Sequence, residues 1–552
     1  MIKTKSNNRA ILSGMMRKSR RGNLPSNVNY LFLYGFLYKF MSDRLKNFML
    51  KKTGETDIRR VYSNLERVYE LRKMCLDEMG YFIESDFAFM DQYIDNNIIE
   101  ALAGPEFYKI LKDHITFSDG NQSEKYFNRI FEILQKQYGS FSLTRDDELN
   151  LFVSNFMYTI SKLNIDENSF TFRQVYDAFA SSRQIHIPNT PEYISNIITS
   201  IVESQLPSAS SVYDPFMGDS SILFNLAENM HVGNIVGKES RGIGYFYSVI
   251  KAFIHEVNLN RIFFFNEDAI SSMSVRDRTF DVIVSKIPTR FPAISKRRKQ
   301  SLEAPSPKNV SNERLLSNVD MDRISDDKEA MEALEFLQNR IVELKKREMI
   351  HFSGEYESLK DSEFLFLINM INSLDGDGVM VVSLSQNFLF KNSLTLLRKF
   401  LTYENNYIDA IISLPEELGR SVRPEVIIVF RKNKQSGDIV FIDLSKEYGT
   451  VPSRNATGGL LRRNLILDNA TTSKIIDVLN NRKTIEKFSN VVRLDELKGT
   501  DFNLTVSRYV DTYEGEFIRL ADLKMSKTDM EYGMAKLNDK IDNLLHELDM
   551  YF

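Results

Sequence analysis

The stretch Phe280-Asp281-Val282-Ile283-Val284-Ser285-Lys286-Ile287-Pro288-Thr289 decides how this chain is read. An apolar, β-branched run opens on an acid and passes into a Pro-containing turn, the pattern of a strand buried on both faces that ends in a tight loop. Runs of similar texture lie on both sides, at 211–213, 234–237 and 261–265 before it and at 378–384, 407–413 and 426–431 after it. Helical segments separate most of them. The alternation predicts a mostly parallel sheet covered by helices, with ligands at the carboxyl ends of the strands.

Three of those strand ends carry candidate ligand contacts. Val212-Tyr213-Asp214-Pro215-Phe216-Met217-Gly218-Asp219-Ser220-Ser221 leaves a strand and opens a helix, and Gly218 gives that turn the backbone freedom a close ligand approach requires. The second strand ends in Glu239, 25 residues after Asp214, where a carboxylate suits ribose hydroxyls. The third, running into Asn266-Glu267-Asp268, places Asp268 where it can meet an adenine amino group. A single acid of this kind is usually a surface or capping residue, whereas three at successive strand ends point to a nucleotide-like ligand.

Composition limits the alternatives. A chain of 552 residues is expected to form two or three domains, and 43% hydrophobic with 26% charged residues is ordinary for a globular protein. The lone Cys75 excludes an internal disulfide framework and a Cys-based zinc site, and six scattered histidines suggest no metal cluster. The longest apolar run, 30–41, contains Lys39 and is about half the roughly 20 residues a membrane span needs, so no membrane association is expected. The first 27 residues hold seven Lys or Arg and no acid, although the whole chain stands at −4. This leader reads either as an arm for nucleic-acid phosphates or as a solvated flexible segment, and it shares the basic, acid-free character of organelle transit peptides.

The expected layout is a basic flexible arm (1–28), an N-terminal helical domain (29–165), the α/β domain (166–465) and a C-terminal helical region (466–552). A polar insertion at 289–358 interrupts the α/β domain, with a basic, Pro-containing loop at 296–314 and a charged helix at 325–350. Leu334, Leu337, Ile341 and Leu344 form a stripe on that helix, fit either for packing on the parent domain or for a partner coil. The last helix carries a second stripe, Met530, Met534, Leu537, Ile541, Leu544 and Leu548, with the same two uses.

The strand and turn at 281–289 resemble those of adenine-N6 DNA methyltransferases, whose turn reads Asn-Pro-Pro followed by Phe or Tyr. Nearly the whole chain resembles the modification (methylase) subunit of type I restriction-modification systems. Thr190-Pro191, 23 residues before Asp214, matches a Thr-Pro ahead of that family's cofactor loop. Further matches are Glu363-Phe364-Leu365-Phe366, the run 374–382, Asn387-Phe388-Leu389-Phe390, the run 408–415 and Asn503-Leu504-Thr505-Val506-Ser507-Arg508-Tyr509-Val510. The resemblance implies a Rossmann-like methyltransferase domain between helical flanks and S-adenosylmethionine as cofactor. It assigns cofactor contacts to Thr190, Pro191, Asp214, Pro215, Phe216, Gly218, Glu239, Asp268 and Ser285. The implied partners are DNA, a sequence-specificity subunit and a restriction subunit, in a bacterial or archaeal cytoplasm.

In active relatives the target adenine is flipped from the duplex, its amine is held by acceptors of the turn, and an aromatic ring stacks on the base. Here the turn reads Lys286-Ile287-Pro288-Thr289. Lys286 has no acceptor and Thr289 no ring, while Phe291 stands two residues late. The glycine usual near Ser220 is also missing. Two functions follow as expectations: an adenine methyltransferase with an unusual loop, or a catalytically silent relative that assembles or clamps DNA. A methyltransferase acting on another substrate fits the flanking domains less well.

Overall fold

The computed structural model describes residues 28–96, 107–139, 147–163, 190–267, 278–288, 362–415, 424–447, 449–454, 460–466, 468–512 and 520–549, with the single positions 173, 176, 177, 269 and 275. The basic leader, the insertion with its loop and helix, and the positions Asp268, Thr289 and Phe291 lie outside the described residues.

Among the described residues, nine strands form one sheet: β1 (Ser208–Asp214), β2 (His231–Lys238), β3 (Ile262–Phe265), β4 (Phe280–Lys286), β5 (Leu374–Ser385), β6 (Ile408–Ser413), β7 (Glu425–Arg431), β8 (Asp438–Asp443) and β9 (Ser489–Arg493). Their spatial order is β9-β8-β6-β7-β5-β4-β1-β2-β3. Only β7 and β9 run antiparallel to their neighbours. The chain builds outward from β1 through β2 to β3, then returns to place β4 on the other side of β1. This reversal opens a crevice between the carboxyl ends of β1 and β4, the position where open α/β sheets bind ligands.

Alternation along the strands covers both faces. Val212, Val282, Val284, Val381 and Ile412 point into one core, while Tyr213, Ile283, Met380, Val382 and Ile411 point into the other. Each fully buried aliphatic side chain of this kind contributes about 1.5–3 kcal/mol, which explains why near-continuous apolar runs form these strands.

The first core is shared with the N-terminal helices. Helix α1 (Val28–Thr53) is buried over most of its first half, and it meets the sheet layer where Tyr30 packs edge-on against Phe246. Lys39, inside the apolar run, is buried but pairs with Asp43 at 2.6 Å and donates to the Ser161 carbonyl at 2.8 Å. No helix among the described residues is long and apolar enough to cross a membrane. At the sheet edge, Tyr126 of α2 (Gln122–Gly139) donates to the Ile262 carbonyl and accepts from the Phe264 amide, satisfying the free edge of β3.

Two features depart from the sequence reading, and a third bears on an alternative it left open. A short ladder, Tyr81–Ile83 with Ile115–Phe117, interrupts the helical N-terminal region, where Gly80 ends a helix in the left-handed conformation and three buried β-favouring residues follow. β8 and β9 extend the sheet past 431, and β9 falls within the segment read as helical. Its pairing with β8, not its own short pattern, holds it extended. The last helix, α3 (Leu520–Asp549), leaves Met530, Met534, Leu537 and Ile541 exposed, so this stripe does not pack on the described body of the chain.

Two side-chain bridges clasp β4 to β1. At the amino end, Asp281 Oδ2 accepts from the Ser210 and Ser211 amides at 2.6 and 3.1 Å, while the Asp281 amide donates to Ser211 Oγ. At the carboxyl end, Ser285 Oγ donates to Asp214 Oδ1 at 2.8 Å. Losing a carboxylate that serves two amides costs about 1.5–3 kcal/mol. Asp281→Ala should therefore lower the unfolding free energy measured by urea titration by that amount, and an unchanged value would contradict the clasp.

Candidate functional site

The turn after β1 is shaped by its own backbone and by β2. Asp214 accepts from the Phe216 amide at 2.9 Å, the Met217 amide donates to the Lys238 carbonyl, and the Ser220 amide donates to the Met217 carbonyl. Gly218 takes φ +52° at no steric cost. The turn lies so close to β2 that a Cβ on Gly237 would collide with Met217 Sδ. Pro215 and Gly218 are buried, and Phe216 is half-buried at the crevice.

Ser220, near which the resemblance expects a second glycine, takes a glycine-like backbone with φ +58°. Its Oγ is buried with no hydrogen-bond partner among the described residues. A serine here carries backbone strain and an unsatisfied hydroxyl together.

Glu239 directly follows β2 and is 6% exposed. Burial raises its carboxyl above the usual range, against hydrogen bonds from Arg241 and from the Gly218 amide. Its Oε1 takes the Arg241 amide at 2.8 Å and Arg241 Nε at 3.3 Å. Asn266, after β3, donates to the Glu239 carbonyl, tying the second and third strand ends together. Asp214 is more deeply enclosed. Burial pushes its carboxyl up to about 7, and the charges of Glu239 and Asp219 add to the rise.

Thr190 and Pro191 lead into α4 (Glu192–Gln205), where the Pro191 carbonyl accepts from the Ile194 and Ser195 amides. Ser195 Oγ accepts from Asn225 of α5 (Ser221–Asn229), the helix that the Asp214 turn opens. Thr190-Pro191 is thus linked to the turn through two helices.

The carboxyl end of β4 differs from an Asn-Pro-Pro turn in two linked ways. Lys286 Nζ pairs with Glu425 Oε1 at 2.9 Å, and Ser383 Oγ donates to Glu425 Oε2 at 3.0 Å. The Ile287 amide donates to the Ser383 carbonyl at 2.8 Å, a bond that proline cannot make. The Ile287 side chain is buried in the second core. Together these bonds continue β4 one residue further along β5 instead of releasing it into a free loop.

Glu425 and Ser383 were not among the sequence-derived candidates. Glu425 lies 139 residues after Lys286 and opens a strand like many surface acids. Its proline neighbour, Pro424, gave no sign of the pairing. A separate cleft of about 410 Å³ lies at the opposite, amino-terminal edge, lined by Ser210, His231, Asp281, Asp375 and Asp377. It faces away from the strand ends described above. Among the described residues no cluster of His, Cys, Asp and Glu could hold a metal ion.

A family model described as N-6 DNA Methylase matches residues 180–308 and 339–516. The type I restriction enzyme MpnII methylase subunit of Mycoplasma pneumoniae is 20% identical over 94% of this chain and 92% of its own length. The MjaVII methylase subunit of Methanocaldococcus jannaschii is 40% identical over 111 residues, 19% of this chain and 18% of that one. Among solved structures, a type I restriction-modification methyltransferase subunit from Streptococcus thermophilus superposes with TM-score 0.62 at 21% identity, covering 92% of this chain and 98% of that one. A modification subunit of a putative type I restriction enzyme from Vibrio vulnificus gives 0.54 at 13%, covering 92% and 97%. Both share the fold.

The raised Asp214 carboxyl fixes a sign for pH dependence. A folded-state pKa near 7 against an ordinary value of 3.8 means the folded chain retains this proton where the unfolded chain loses it. Stability should therefore fall as pH rises from about 4 through 7. Urea unfolding across that range should show the fall, and Asp214→Asn should flatten it; an equal slope in both proteins would contradict the assignment.

Proposed function

This chain belongs to the N-6 DNA methylase family, and we propose that it is the methylase-type subunit of a type I restriction-modification assembly that keeps a cofactor place but has lost transfer to adenine. The observation that carries this reading is the Lys286–Glu425 ion pair at the end of β4.

The residues present fit S-adenosylmethionine. Buried Asp214 and Glu239 stand at adjacent strand ends beside the left-handed turn at Gly218, offering carboxylates where an adenosyl cofactor presents ammonium and hydroxyl donors. Phe216 adds apolar surface at the crevice, Ser285 holds Asp214 by its hydroxyl, and Asp268 completes the set by resemblance. When bound, the cofactor supplies a reactive methyl sulfonium, so the protein's part is placement and electrostatics.

That placement is altered at the target-base turn. An ammonium donates only, so Lys286 offers no acceptor to an exocyclic amine. The nearby carboxylate already accepts from Lys286 and Ser383, and the Ser383 carbonyl already takes the Ile287 amide. Pro288 remains in place, but Thr289 supplies no ring for stacking.

The proposed role is assembly and DNA holding in a bacterial or archaeal cytoplasm. A specificity subunit would supply sequence recognition, and a restriction subunit would complete the complex. Exposure of Met530, Met534, Leu537 and Ile541 on α3 supports a helix that docks on the specificity partner.

The decisive assay is transfer of labelled methyl from S-adenosylmethionine to DNA by this chain with its specificity subunit. Calorimetry should show cofactor binding while adenine methylation stays at background. A variant with Lys286→Asn, Ile287→Pro and Thr289→Phe should gain transfer only with Glu425→Gln added, because the first three changes alone leave the buried carboxylate without its cation. Robust methylation by the unmodified chain would end the silent reading, and absence of cofactor binding would end the cofactor reading.

A further inference from the structure

The helix behind the cofactor turn, Gly242–Ile254, sends two buried side chains into it. Ser248 Oγ donates to the Gly218 carbonyl at 2.9 Å. One helical turn later, Lys251 Nζ donates to the Asp219 carbonyl at 3.2 Å and to Ser221 Oγ at 3.1 Å. Lys251 is only 6% exposed. Its ammonium lies 5.7 Å from the ring centroids of Phe224 and Tyr247 and 3.9 Å from Asp177 Oδ1.

Burying a lysine is costly unless its charge and donors are satisfied. Here both of its hydrogen-bond acceptors belong to one short segment. The carbonyls held are those of the two residues before Ser220, and Lys251 fixes the peptide plane that enters the strained position. A strained φ persists where the surroundings over-determine it. Glycine at 220 would take the same φ without that help.

We propose that Ser248 and Lys251 are positioning residues that hold the cofactor turn in its ligand-ready shape, and that the turn depends on them because Ser220 occupies a glycine-like conformation. The proposal rests on the cofactor reading of the Asp214 turn. It also specifies a dependence that resemblance does not supply: the clamp matters with Ser220 and ceases to matter with glycine.

The test compares full-length unmodified protein with Lys251→Met, Ser220→Gly and the double variant. Methionine retains apolar bulk beside Phe224 and Tyr247 but removes the donor. Two measurements are made: amide hydrogen exchange at 217–221 without cofactor, and S-adenosylmethionine affinity by calorimetry. Lys251→Met should speed exchange in the turn and weaken affinity roughly tenfold, the scale of losing a supporting contact. Adding Ser220→Gly should restore both. Unchanged exchange in Lys251→Met, or faster exchange that persists in the double variant, would overturn the clamp. If the unmodified chain binds no cofactor, the cofactor reading fails, while the exchange comparison still decides whether the clamp exists.

Discussion

The two-ended clasp between β1 and β4 is the constraint on which the site depends. Asp281 joins the strands at their amino ends and Ser285 joins them at their carboxyl ends, across the point where strand order reverses. Without that fixed register the Asp214 turn and the Lys286 turn would not face one crevice. The cost appears at Asp214, whose burial pushes its carboxyl up to about 7 against the lowering hydrogen bonds from Phe216 and Ser285.

Around the clasp, the two turns are held in different ways. The Asp214 turn holds a positive φ at Ser220 because its backbone bonds and the Ser248 and Lys251 donors act on the same few peptides. The Lys286 turn is held by the sheet. Its amide, its ammonium and the Ile287 side chain are all engaged by β5, β7 and the core. The two turns are thus held by different means, the first by donors from the helix behind it and the second by the sheet itself.

Much of this was legible in the sequence because it is local. The strands β1 to β7 follow from short β-branched runs between helical segments, and the strand-end positions of Asp214, Glu239 and Lys286 follow from where those runs stop. What escaped was non-local. The Lys286–Glu425 pair joins strands across the insertion, and neither residue advertises the other. β9 has too few residues to show a pattern and is defined by its neighbour. Lys251 reads as an ordinary charge in an apolar helix until the turn that accepts its hydrogen bonds is folded against it.

Lys286 and Glu425 act as one unit at the end of β4. A double-mutant cycle with Lys286→Met and Glu425→Gln, followed by urea unfolding, measures this directly. A true pair gives a coupling energy of about 1–3 kcal/mol, with each single change nearly as costly as both. Additivity within about 0.5 kcal/mol would mean that the two side chains act independently and that Lys286 is free to move when a base arrives.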